Sequence, residues 1–99
     1  MDERTYLTIL YDYYAELLTD KQKLYFEDYY FNNLSLGEIS ENFTVSRNAV
    51  HKQIKIGEEK LKDYEEKLKL YEKSEELKKI MEIITDSSLK KQLEEFNNK

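Results

Sequence analysis

The sequence contains no cysteine and no proline, only two glycines, Gly37 and Gly57, and a single histidine, His51. Without cysteine there is no disulfide, no cysteine-based zinc site and no thiol nucleophile. Without proline, and with so little glycine, neither a flexible linker nor a turn-rich β protein fits. Long hydrophobic runs are missing too, and no apolar stretch is long enough to cross a bilayer. The opening residues MDERTYLTIL lack the basic start and small-residue cleavage site of a signal peptide, so a cytoplasmic protein without membrane contact is expected. His51 lies among cations, with Asn48 and Lys52 beside it, which makes no acid/base relay. One histidine and scattered carboxylates make no metal site. Neither an enzyme nor a cofactor is expected.

What remains is a chain of 99 residues, 37% charged and 39% hydrophobic, whose apolar residues recur at spacings of three and four. That pattern predicts an all-α protein, and the length suits one domain over residues 1–99 with one modest core. The formal charge of −5 is unevenly spread. Residues 1–45 hold nine acids against three cations, and residues 63–99 hold ten against eight. Residues 46–62 reverse the sign, with Arg47, Lys52, Lys55, Lys60 and Lys62 against Glu58 and Glu59. Mixed lysine and glutamate elsewhere reads as a solvated helix surface.

Tyr6, Leu7, Leu10, Tyr14, Leu17 and Leu18 mark the inward face of a first helix. Its rings, Tyr6, Tyr11, Tyr13 and Tyr14, suit either a base-stacking platform or packing at the core edge with hydroxyls in water. Asp12 and Glu16 on the same helix favour packing, because they repel a phosphate chain. Thr19 and Gln22 have the spacing of a capping box, opening a second helix that carries Tyr25, Phe26, Tyr29 and Tyr30 and ends near Asn32 and Asn33. Ser35 and Glu38 form another, opening a short helix with Leu36, Ile39 and Phe43 inward. Ser46 then caps a fourth helix, with Val45 just before it to plug the turn. Along it Val50, Ile54, Gly57, Leu61, Tyr64, Leu68 and Tyr71 follow at alternating spacings of four and three, a coiled-coil-like seam that breaks at Glu75. Ser74 is expected to cap a fifth helix, Asp86-Ser87-Ser88 to interrupt it, and Leu89, Leu93 and Phe96 to mark a sixth.

A short helix, a three-residue turn and a second helix make a helix-turn-helix, whose second helix enters the major groove. At about 100° per residue, Val50, Ile54, Gly57 and Leu61 fall in one arc roughly 60° wide. Arg47, Asn48, His51, Lys52 and Lys55 fill a different arc of roughly 140°. Arginine reaches guanine bidentately, asparagine pairs with adenine and lysine neutralises phosphate. Ser46, at the helix N-terminus, suits a phosphate contact. These six residues are the candidate DNA-binding set. Leu36, Gly37, Ile39, Ser40, Phe43, Val45, Val50 and Ile54 are the candidate packing residues of the unit, with Gly37 expected to let the two helices approach closely.

Residues 18–61, with LT…Q, LS…EI, VSR…V and I…L in that order, resemble the region-four helix-turn-helix of bacterial sigma factors. The phrase YYFNNLSLGEISENFTVSRNAV followed by EEKLKDYEEKLKLY resembles the YlxM-like family more closely, over nearly the whole chain. The resemblance implies a sigma-region-four-like helix-turn-helix at 35–57, within N-terminal helices over 1–62. A long recognition helix and further helices over 63–99 would extend it. Ser35 to Phe43 match the supporting helix and Ser46 to Ile56 the recognition helix. It also implies a DNA-binding or regulatory protein tied by gene neighbourhood to the signal recognition particle pathway. Two residues depart from the sigma pattern. Thr44 stands where glycine usually makes a left-handed turn, which predicts a turn of different shape. Ser40 replaces the usual alanine and is small enough to keep the packing.

The expected partner is therefore DNA. An adaptor that contacts a signal recognition particle component, protein or RNA, is the alternative, because a fold does not fix a function. Four or five cations per copy give a slope of log K against log salt near about −4. One copy would bind weakly, so a homodimer on two half-sites is the usual remedy. The seam is expected to pack internally first, under the first helix and the C-terminal pair, with dimerisation through a remaining face second.

Overall fold

The computed structural model of the protein describes residues 1–84 and 87–97, which form six α-helices and no strand. Asp2 opens the first helix, α1 (Glu3–Tyr14), by accepting the Thr5 amide at 2.7 Å. The chain then tightens into a 3-10 turn over Ala15–Leu17. That tightening swings Leu17 out, 49% exposed, and turns Leu18 in, so the expected inward face loses Leu17. The Thr19–Gln22 capping box starts α2 (Asp20–Tyr30), and Asn33 turns the chain at φ 56°. The Ser35–Glu38 box starts α3 (Leu36–Phe43), and Ser46 caps α4 (Arg47–Leu68) by accepting the Ala49 amide at 3.0 Å. Each cap satisfies an amide that the helix geometry leaves without a partner.

Two apolar clusters hold these helices. Leu7, Leu10, Tyr11, Tyr14 and Leu18 pack with Phe26 and Leu61, joining α1 and α2 to the middle of α4. Tyr25, Ile39, Val50 and Ile54 join α2 and α3 to its first half. Burying each such side chain contributes about 1.5–3 kcal/mol. The rings of α1 and α2 are core material: Tyr11 stacks on Phe26 at 4.5 Å and Phe26 on Tyr30 at 4.3 Å. The expectation of rings at the core edge with wet hydroxyls therefore fails for Tyr11 and Tyr14, which are buried. Burial and the nearby Glu27 push the Tyr11 hydroxyl above its ordinary pKa.

The apolar seam of α4 stops sooner than its spacing suggests. Lys69 takes a left-handed conformation, φ 56°, which ends α4 at Leu68 and opens α5 (Leu70–Ile83) in a new direction. Tyr71 therefore belongs to α5, Leu68 is exposed, and Ser74 lies inside α5 instead of capping it. The cap comes from α4. Glu65, only 8% exposed, accepts from the Tyr71 and Glu72 amides at 3.1 Å each and from the Tyr14 hydroxyl at 2.5 Å. Tyr14 in turn accepts the Leu70 amide at 3.0 Å. One carboxylate and one phenol thus close three of the four orphan amides of α5. Burial and donation to Glu65 push the Tyr14 hydroxyl up to about 12.

A cation from another helix does the matching job at the C-terminal end of α2. Arg4 donates to the Tyr29 and Tyr30 carbonyls at 3.0 and 3.2 Å, and its guanidinium lies 4.7 Å from the Tyr30 ring centre. Charge of this sign is favoured where helix carbonyls end unpaired. Beyond α5, Ser87 and Ser88 are helical, within α6 (Ser87–Asn97). Asp86 and the side chains of Ser87, Ser88 and Leu89 lie outside the described residues. Leu93 of α6 is half-buried, while Phe96 stays 71% exposed.

Candidate nucleic-acid interface

The turn between α3 and α4 is made by Thr44 at φ 56°, ψ 48°. Its amide reaches the Glu41 carbonyl at 3.3 Å, and the Val45 amide returns to the Ser40 carbonyl at 3.0 Å. These two bonds make the helix-ending arrangement usually built on glycine. The expectation of a differently shaped turn is therefore corrected: the β-branched residue adopts the left-handed geometry, at a cost of about 1–2 kcal/mol. Packing around the turn holds it there. Val45, Leu36 and Phe43 lie against the cluster of Tyr25, Ile39, Val50 and Ile54, and Phe43 meets the Tyr25 ring edge-on at 4.9 Å. Ser40 is buried with its hydroxyl donating to the Gly37 carbonyl at 2.8 Å.

Gly37 has a different neighbour from the one expected. A Cβ placed there would lie 2.6 Å from Nη2 of Arg47 and 3.0 Å from its Nε. The three nearest atoms all belong to that guanidinium, so what the glycine most directly accommodates is a side chain of α4.

Val50 and Ile54 face the core, and Arg47, Asn48, His51, Lys52 and Lys55 are exposed on the other side of α4. Ser46 is exposed as well, its oxygen engaged by the Ala49 amide. The six candidate residues thus share one end and one face of the helix. Gln22 anchors that helix from behind: it donates to Gln53 at 3.2 Å and accepts from Lys60 at 3.2 Å and from the Thr19 amide at 3.1 Å. Nothing in the apolar pattern flags Gln22, although its place in the capping box does. Lys60 is thereby turned toward α2 and away from the exposed arc.

The sign of the exposed arc changes along the helix. Lys55 lies 3.4 Å from Glu58, and Glu58 also accepts from the Tyr30 hydroxyl. Burial and that bond to Glu58 raise the Tyr30 pKa. Glu59 is exposed one residue on, and Lys62 pairs with Glu3. Three cations, Arg47, Lys52 and Lys55, therefore stand on the exposed start of α4, and carboxylates begin one turn beyond. α3 adds the exposed Glu38 and Glu41. The Ser35 amide and hydroxyl hold the Glu38 carboxyl below its ordinary pKa, so it is charged at neutral pH. Among the described residues no three of the metal-ligating types cluster closely enough to hold a metal ion. Nor is any helix among them long and apolar enough to cross a membrane.

The chain is similar to several curated bacterial proteins. A UPF0122 protein of Caldanaerobacter subterraneus subsp. tengcongensis is 48% identical over 85 residues, covering 86% of this chain and 73% of the relative. One from Oceanobacillus iheyensis is 46% identical over 82 residues, covering 83% and 78%. One from Bacillus licheniformis is 48% identical over 84 residues, covering 85% and 78%. The family described as "Putative helix-turn-helix protein, YlxM / p13 like" matches residues 1–99. With that match over its whole length, and with the helix-turn-helix in place, the chain belongs to the YlxM/p13-like helix-turn-helix family.

Proposed function

We propose that the protein is a cytoplasmic, non-enzymatic DNA-binding regulator that lays residues 46–55 of α4 in the major groove. One observation carries this reading. Ser46, Arg47, Asn48, His51, Lys52 and Lys55 are exposed together at the start of the second helix of a helix-turn-helix, while Val50 and Ile54 fix its other face in the core. Arg47 and Asn48 supply the base-reading chemistry, and Lys52 and Lys55 supply phosphate contacts. The carboxylates of Glu58 and Glu59 limit how far the helix enters, because they repel the backbone. Three cations give a salt slope of about −3 per copy, shallower than the sequence count. A homodimer raises affinity by engaging two half-sites. The exposed Ile80, Ile83 and Phe96 of α5 and α6 support such pairing. The family resemblance adds the setting, control of a signal recognition particle operon. Selection from random DNA at physiological salt tests the reading. Enrichment of a two-fold symmetric site, lost with Arg47→Ala and Lys52→Ala together, is the expected result; no enrichment refutes it.

The acidic flank favours a second reading. Glu38 and Glu41 of α3 and Glu59 of α4 are exposed on the same two helices as the cations, a mixed-charge surface that suits an adaptor contacting a signal recognition particle component. Recovery of that component by the purified chain after nuclease treatment, without DNA selection, would favour the adaptor.

A further inference from the structure

Arg47 carries most of the base-reading chemistry, yet no ion pair or side-chain hydrogen bond among the described residues holds it. What places its guanidinium is shape. The Nη2, Cζ and Nε atoms lie 2.6, 3.1 and 3.0 Å from where a Cβ of residue 37 would stand. Distances so alike, from atoms spanning one edge of the group, mean that this edge lies along α3 at Gly37. Any other residue type at position 37 would fill that space. We infer that Gly37 is a positioning residue for Arg47, a seat that presents the guanidinium at the mouth of the helix-turn-helix. This rests on the reading of α4 as the groove-entering helix.

The physical consequence is pre-organisation. Arginine has a large rotamer entropy, and ordering such a side chain on binding opposes association. A side chain already seated has lost part of that freedom before DNA arrives. Alanine at position 37 would take the space at little structural cost, because what it meets is the far end of a flexible side chain. Position 37 lies inside the first turn of α3, where alanine is the better helix former. Gly37→Ala is therefore expected to leave the fold as stable or more stable while releasing Arg47. A residue that mattered only for packing would show the opposite.

The test has two arms on the full chain. In the first, 15N relaxation of the Arg47 Nε–H is measured without DNA. The side chain is expected to be ordered in the parent and to gain amplitude in Gly37→Ala, with the melting temperature unchanged or raised. Equal mobility in both proteins overturns the seat. In the second, affinities for the selected DNA site are measured for Gly37→Ala, Arg47→Ala and the double variant. Gly37→Ala is expected to weaken binding about 3- to 10-fold and to flatten preference at the base that Arg47 reads. It should cost nothing further in the Arg47→Ala background. An equal loss in both backgrounds overturns the proposal, since the effect then does not run through Arg47. If the parent chain selects no DNA, the regulator reading fails, and the relaxation arm still decides whether Gly37 seats Arg47.

Discussion

Replacing Glu65 with alanine is expected to be among the costliest single changes available at a charged position. Its carboxylate accepts from one hydroxyl and two amides, and all three donors sit where α1, α4 and α5 meet. Hydrogen bonds to a charged acceptor contribute about 1.5–3 kcal/mol each. Water reaching the exposed side of α5 offsets part of that loss, and the carboxylate's attraction to the α5 N-terminus adds up to about 1 kcal/mol. The net expectation for Glu65→Ala is about 3–4 kcal/mol, in line with breaking a buried charged contact. A chain of this length has a total of about 5–15 kcal/mol, so the melting temperature should fall by roughly 15–25 °C. Glu65→Gln keeps one accepting oxygen and loses the charge, so about 1–2 kcal/mol is expected. Urea unfolding followed by far-UV circular dichroism gives the global value. Amide exchange at Tyr71 and Glu72 gives the local one, and protection there should drop first. Glu66→Ala, at the exposed neighbouring position, is the control and should stay within about 0.5 kcal/mol of the parent. If Glu65→Ala matches that control, the elbow is not held by its carboxylate and this account of α5 is wrong.

Alkaline titration should expose the Tyr14 proton. With its pKa raised to about 12 from an ordinary 10.0, the folded state keeps a proton that the unfolded chain has released between those values. Stability is therefore complete below pH 10 and falls as pH rises toward 12, by at most about 3 kcal/mol from this group. Unfolding midpoints against pH should show a shallower alkaline fall in Tyr14→Phe. Gly57→Ala should stabilise by up to about 1 kcal/mol in thermal unfolding, because a Cβ there meets Gln22 and Leu18 only at 3.9 Å; a loss would mean tighter packing than those distances imply. Thr44→Gly should stabilise by about 0.5–1 kcal/mol, the relief of a left-handed β-branched residue less the added freedom of the unfolded chain. A melting temperature below the parent's would place more of Thr44's contribution in side-chain contacts than in strain.

Local chemistry was legible where the residue and its partner are three or four apart. The Thr19–Gln22 and Ser35–Glu38 boxes and the Ser46 cap all follow from spacing alone. So does the inward row Val50, Ile54, Gly57 and Leu61, because those residues sit in one unbroken helix. The end of that helix was not legible. Tyr64, Leu68 and Tyr71 keep the four-and-three rhythm across Lys69, where neither glycine nor proline marks the break. Glu65 was hidden for a related reason. A glutamate in a lysine- and glutamate-rich stretch reads as surface, and what draws it inside is the distant Tyr14, 51 positions away, together with the Tyr71 and Glu72 amides beyond the unforeseen helix break. A glycine's position says that something comes close without saying what, and at Gly37 the nearest atoms are those of the Arg47 side chain. At the exposed start of α4 the residue types are visible in the sequence, whereas the Lys55–Glu58 pair there and the Lys62–Glu3 pair further along depend on side-chain reach.

The elbow at Lys69 also bears on distance. The 22 residues of α4 span about 33 Å from Arg47 to Leu68. Beyond that point one carboxylate and one phenol hold the first turn of α5 and so set the direction in which that helix leaves. Two copies paired through their arms would hold the starts of their α4 helices at a single separation, as the jaws of a caliper do. If the DNA-binding proposal holds, the spacing between half-sites would then be a property of Glu65 and Tyr14, residues outside the proposed binding set.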